Sequence, residues 1–126
     1  MTNERISQVT TIAKAIADET RVRLLMALRG RELCVCQLQA VVDFAPSTVS
    51  EHLLLLRQAG LVKARKAGRW VYYALSDREG GQQVRATLQW LEQNCSNDPM
   101  IVDDERRLQE ILSMKPDELC KPKATS

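Results

Sequence analysis

The sequence predicts a mainly α protein with one small β-hairpin, folded as a dimeric winged helix-turn-helix. Three features of the chain point there. Asp43-Phe44-Ala45 joins two helical stretches through a three-residue turn, the spacing of a helix-turn-helix. An alternating segment that turns at Ala67-Gly68 follows the second of those helices directly. Between His52 and Ser76 there are five cations (Arg57, Lys63, Arg65, Lys66, Arg69) and no acid, which marks one basic face.

Residues 4–17 place Ile6, Val9, Ile12 and Ile16 at helical spacing and predict a first amphipathic helix. Asp18-Glu19-Thr20 supplies acids and a hydroxyl where a second helix starts, at the positive end of its dipole. That helix runs through Val22, Leu24, Leu25, Met26 and Leu28, apolar nearly all round as a central buried helix is, and stops at Gly30. A third helix is expected over roughly Cys34 to Val42, with Leu33, Leu38 and Val41 or Val42 inward. Pro46 suits the first turn of the fourth helix, where its missing N–H costs nothing, although Ala45 is a poor N-cap.

The fourth helix, over 46–59, buries Val49, Leu53 and Leu56 at i, i+4 and i+7, and Gly60-Leu61 closes it. Ser47, Thr48, Ser50 and Glu51 then lie where base edges or phosphates are met in a major groove, with Arg57 flanking. His52, the single histidine, reads as partly buried or phosphate-facing rather than as a metal ligand. The hairpin that follows carries Arg65, Lys66 and Arg69 near its tip, a basic wing suited to phosphates or the minor groove. Trp70, Tyr72 and Tyr73 are expected to pack the sheet.

A further helix is expected over 82–95, with Val84, Leu88 and Leu91 inward, ended by Asn97-Asp98-Pro99. A last short helix covers about 103–114 through Leu108, Ile111 and Leu112, and beyond Pro116 the ending 121–126 is expected to be loose. Residues 1–95 thus form the DNA-binding and dimerisation domain, and 96–126 a C-terminal helical extension and tail. The apolar stripes of the first helix and of the helix after the hairpin are expected to pair across a two-fold, because a helix-turn-helix reader meets two half-sites.

Glu32-Leu33-Cys34-Val35-Cys36-Gln37-Leu38 puts two thiols one residue apart just before the fourth helix. Thiolates suit soft, thiophilic ions, and small buried cysteines are the plainer alternative. On a regular helix, residues i and i+2 point about 200° apart, whereas in an extended segment they share a face. Chelation by both sulfurs would therefore unwind the start of the helix that braces the recognition helix, so ion and DNA would want different shapes of one segment. A trivalent centre prefers three thiolates; Cys95, Cys120, solvent or a small thiol could supply the third.

Composition narrows the classes. Hydrophobic residues make up 44% of the chain and charged residues 27%, a globular profile, and no apolar run approaches the ~20 residues that span a bilayer. The polar start Met1-Thr2-Asn3-Glu4-Arg5 predicts no signal peptide and hence a cytoplasmic protein with reduced thiols, its four cysteines being ligands, reactive groups or core rather than a disulfide scaffold. One histidine, no glycine-rich phosphate loop and no Ser/His/Asp constellation exclude an enzyme of the common kinds, and no organic cofactor is expected.

With these elements in place the chain resembles the ArsR/SmtB family of bacterial metal- and metalloid-responsive repressors over about residues 5–95. The resemblance rests on Ala17-Asp18-Glu19-Thr20-Arg21-Val22-Arg23-Leu24-Leu25, the cysteine box Glu32 to Leu38, Ser47-Thr48-Val49-Ser50-Glu51-His52-Leu53, Arg57-Gln58-Ala59-Gly60-Leu61-Val62 and Gly68-Arg69-Trp70-Val71-Tyr72-Tyr73. It implies a homodimer that sits on double-stranded operator DNA and leaves when an ion binds. The box looks closest to the arsenic-responsive branch, which implies arsenite or antimonite at Cys34 and Cys36, ahead of cadmium or lead. Gln39 stands where members of that branch often carry a third cysteine. Two alternatives remain open from sequence: a thiol-based redox or sulfide-responsive repressor, and a winged helix that binds protein.

Overall fold

The computed structural model describes residues 4–119. Its elements are α1 (Glu4–Ala15), α2 (Glu19–Ala27), β1 (Leu33–Cys34), α3 (Val35–Val42), α4 (Pro46–Gln58), β2 (Val62–Ala67), β3 (Trp70–Leu75), α5 (Gly81–Cys95), α6 (Pro99–Leu112) and α7 (Pro116–Leu119). Helices α2, α3 and α4 pack together, and the sheet closes one side of them with strand order β1-β3-β2, antiparallel throughout. This is a winged helix. No helix among the described residues is long and apolar enough to cross a membrane.

Local chemistry accounts for the element boundaries. Asp18 is the N-cap of α2, and its side chain accepts the Arg21 N–H at 3.0 Å. Asp43 ends α3 in the left-handed region at φ 59°, a conformation Asp tolerates because its short side chain bonds locally. The hairpin turn needs φ +61° at Gly68, where a side chain would be strained. At Gly80 a Cβ would sit 2.5 Å from Val84 Cγ1 and 2.6 Å from Ser76 O, so only glycine lets α5 fold back beside the end of β3.

One apolar cluster joins the layers. Leu24, Leu33, Leu38, Val41, Val49, Leu53, Leu56 and Leu61 are fully buried in it, and Ile101, Leu108 and Ile111 of α6 belong to the same cluster. The core therefore continues past residue 95, with α6 laid across α2 and α3. Its anchor is ionic. Asp104, 4% exposed, takes two bonds from Arg23, at 2.8 and 2.9 Å, and a third from Arg107. Arg23 and Arg107 also donate to the Val41 carbonyl in the last turn of α3, at 3.4 and 3.2 Å. At the outer edge Arg31 holds Glu105 through paired bonds of 3.2 and 3.1 Å.

Three expectations change. The sheet has a third strand: β1 pairs Leu33 with Tyr73 and Cys34 with Tyr72, so Cys34 begins in the sheet and α3 starts one residue later. Two residues are too few for alternation to register. The last long helix starts at Pro99, because Asp98 caps it by accepting the Met100 N–H at 2.9 Å and Pro99 fills its first turn. Asn97-Asp98-Pro99 is thus the beginning of a helix as well as the end of one. Finally, Val84 and Leu91 of α5 point into the chain's own core, whereas Ile6 (64% exposed) and Val9 (49%) of α1 stay outside it. The expected loose ending at 121–126 lies outside the described residues.

Two outcomes follow for stability. Asp104→Ala leaves Arg23 without its buried partner and should cost about 3 kcal/mol in urea unfolding. The Arg31 guanidinium holds the Glu105 carboxyl below its ordinary value of 4.5. The stability that pair contributes is complete above the ordinary value and is lost as pH falls through the lowered one. A urea midpoint that drops between about pH 5 and pH 3 should drop less in Glu105→Gln.

Candidate nucleic-acid interface and thiol site

Helix α4 buries Val49, Leu53 and Leu56 at 0% exposure, which turns the opposite face outward. Ser47, Ser50, Glu51 and Arg57 lie exposed on that side, and Thr48 is half-buried. The helix begins at Pro46 with no side-chain cap from Ala45, so its first N–H groups are not taken up by a capping residue. His52 is half-buried and turned toward α2: its Nδ1 lies 3.1 Å from Arg21 Nη1 and 4.0 Å from Asp18 Oδ2. Arg21 also donates to the carbonyls of Ala15 (2.6 Å) and Lys14 (3.1 Å). One guanidinium thus ties the end of α1 and the start of α2 to the recognition helix. His52 belongs to that junction.

The wing is basic but not acid-free in space. Arg65 is gripped by Glu32 through two bonds of 2.7 Å, and Lys63 is bonded to Glu79 at 2.7 Å. The cation keeps each carboxyl below its ordinary range. These acids lie 33 and 16 residues from their partners, so the acid-free count along the chain missed them. The Arg65 guanidinium lies 5.1 Å from the centre of the Tyr72 ring, and that of Arg69 lies 4.8 Å from the centre of Trp70. Tyr72 and Trp70 therefore brace wing cations as well as the sheet. Lys66 is exposed near the tip.

The two cysteines do not share a local conformation. Cys34 is the N-cap of α3, in extended backbone at φ −85° and ψ 167°, and is 1% exposed. Cys36 is in the first turn of α3 and half-buried. Gln37 completes a capping box with Cys34: its side-chain oxygen accepts the Cys34 N–H at 2.9 Å, and the Cys34 sulfur faces the Gln37 N–H. The sulfur thus replaces the usual hydroxyl at the positive end of a helix. Cys34 and Cys95 carry free thiols, whereas Cys36 is disulfide-bonded, which differs from the fully reduced set expected from sequence.

Cys95 lies elsewhere. It lines a cavity of about 630 Å³ with Ile16, Asp18, Val22 and Met100, a wall that includes neither Cys34 nor Cys36. Cys120 lies outside the described residues. Among the described residues no group of three or more His, Cys, Asp or Glu side chains is arranged to hold a metal ion. Sequence reasoning also passed over Glu32, Gln37 and Arg21. Gln37 had a signal, being three residues after an N-cap; Glu32 and Arg21 had none, because their partners are distant in the chain.

Helices α3 and α4 with the following sheet define a winged helix-turn-helix protein. Residues 18–64 match the family model described as "Bacterial regulatory protein, arsR family". A transcriptional repressor SmtB homolog of Synechocystis is 44% identical over 77 residues, 61% of this chain and 58% of its own length. The arsenical resistance operon repressor of Escherichia coli K12 is 39% identical over 101 residues, covering 68% of this chain and 86% of that protein. Among solved structures, the homodimeric winged helix-turn-helix DNA-binding domain Mb0332 of Mycobacterium bovis is 25% identical, with a TM-score of 0.62 over 84% of this chain and 90% of that one. This chain belongs to the arsR family of bacterial regulatory proteins.

Gln37→Ala would leave the buried Cys34 N–H without its acceptor, at a local cost of about 1–3 kcal/mol. The Cys34 thiol should then react with a disulfide reagent about tenfold faster, followed by thiol absorbance in a Cys95→Ser background.

Proposed function

We propose that the protein is a homodimeric transcriptional repressor that dissociates from operator DNA when a thiophilic metalloid, arsenite or antimonite, binds Cys34 and Cys36. One observation carries this reading. Cys34 and Cys36, both thiols once the protein is reduced, occupy the single segment that belongs both to the sheet of the wing and to the first helix of the helix-turn-helix. An ion bridging Cys34, in extended backbone, and Cys36, in a helical turn, must change that junction, because the buried Cys34 sulfur is not presented to solvent. The soft donors fit a soft ion, and the junction's other duty is to hold the recognition helix. Cadmium or lead would fit the same donors less specifically.

On DNA, the exposed Ser47, Ser50 and Glu51, with Thr48 beside them, would face a major groove. Arg57, Lys66 and Arg69 would meet phosphates, with Arg65 and His52 nearer the protein's own contacts. Pairing across a two-fold would use α1, which packs on α5 and leaves Ile6 and Val9 exposed, together with Trp90 of α5, which is 56% exposed. The name of the Escherichia coli relative and the dimeric state of Mb0332 agree with this reading.

Reduced protein should retard DNA from upstream of its own coding sequence, and arsenite should abolish the retardation. Cys34→Ser should still bind that DNA and no longer release it; release as in the unmodified protein would remove the proposed site. Arsenite should raise thiolate-to-arsenic absorbance in the unmodified protein, and this should fall in both Cys34→Ser and Cys36→Ser.

The disulfide at Cys36 favours a second reading, a repressor that responds to oxidants or to sulfide through its thiols. In that case mild oxidation or sulfide, and not arsenite, would end the retardation.

A further inference from the structure

The row of the sheet that contains Cys34 also contains a wing cation held on two sides, Arg65. Tyr72 of β3 is the register partner of Cys34 on one side and of Arg65 on the other. Arg65 lies over the Tyr72 ring and is bound bidentately by Glu32, two residues before Cys34. The Glu32–Arg65 pair is exposed on both sides, at 39% and 57%, and exposed pairs contribute little to stability. Its geometry is nonetheless specific: a planar fork on a carboxylate, with the guanidinium also seated on an aromatic ring.

From this arrangement we infer that Glu32 is a positioning residue that couples the cysteine segment to the wing, setting where the Arg65 guanidinium sits when the protein is on DNA. The inference rests on the proposed function and deepens it. Strand β1 is held to the sheet through only Leu33 and Cys34. A change of backbone at Cys34 therefore carries Glu32 with it, and Arg65 loses its fork. The wing would then be altered at the same moment as the start of α3, by a contact and not only through the recognition helix.

The test uses full-length reduced protein carrying Trp90→Phe, which leaves Trp70 of the wing as the fluorescent reporter. It compares that protein with Glu32→Gln and with the exchanged pair Glu32→Arg plus Arg65→Glu. Arsenite titration should give the same thiolate absorbance in all three. Trp70 emission should change on titration in the parent, change little in Glu32→Gln and change again in the exchanged pair. Operator affinity without arsenite should be lower in Glu32→Gln than in the parent, since the Arg65 guanidinium has lost the fork that places it. Its loss of affinity on adding arsenite should be smaller by about fivefold or more. Normal absorbance with an undiminished Trp70 change and an unaltered operator affinity in Glu32→Gln would overturn the coupling while leaving the thiol site standing. Absence of thiolate absorbance in the parent would overturn the thiol site itself, and the coupling with it.

Discussion

The structure depends on a pairing of only two residues, Leu33 with Tyr73 and Cys34 with Tyr72. Leu33 is fully buried, so this short contact is fixed by the core rather than by ladder length. It joins the two parts of the protein built to meet DNA. Without it the sheet would be an independent hairpin and α3 an independent brace. With it, any displacement of the backbone at Cys34 is felt in both. The capping box of Cys34 and Gln37 secures the same point from the helical side, so one residue ends a strand and starts a helix.

Burial of Cys34 decides what the proposed thiol site would demand of the fold. An exposed pair of thiols would bind an ion with little consequence for the fold. A sulfur held at 1% exposure, on a residue committed to both strand pairing and helix capping, can be reached only by giving up part of that commitment. For the proposed metalloid response, the cost of opening would lower ligand affinity, and the same cost would link ligand to DNA. The disulfide at Cys36 adds a condition to that proposal, because a bound metalloid would need the sulfur as a thiolate.

Much of this was legible in the chain. The stripe Val49, Leu53 and Leu56, the turn after Val42 and the stop at Gly60 define the recognition helix by spacing alone, and Asp18 announces the helix it caps. What was not legible has a common cause. Strand β1 is too short to alternate, and Glu32, Glu79 and Arg21 act on partners far along the chain. Charge counted along the sequence therefore described the wing as free of acids, when two of its cations are paired in space. The basic composition was correctly read; the availability of each cation was not. For the thiols, chemistry could be read from residue type, but their unlike conformations needed the fold.

The Arg23–Asp104–Arg107 cluster has a mechanical consequence. Two guanidinium groups, both bonded to one buried carboxylate, also bond the Val41 carbonyl and so fasten the far end of α3 to α6. In the reduced protein the near end is fastened by a two-residue strand and a cap. A rod pinned firmly at one end and lightly at the other answers a push by swinging about the pin. Because α3 spans only Val35–Val42, about 12 Å of helix, a small lateral movement at its thiol end becomes a sizeable change of angle. Helix α4, joined to the pinned end by three residues, would then be turned rather than carried away. A reader of the major groove tolerates a tilt of that kind poorly, since its side chains must meet base edges within hydrogen-bonding distance.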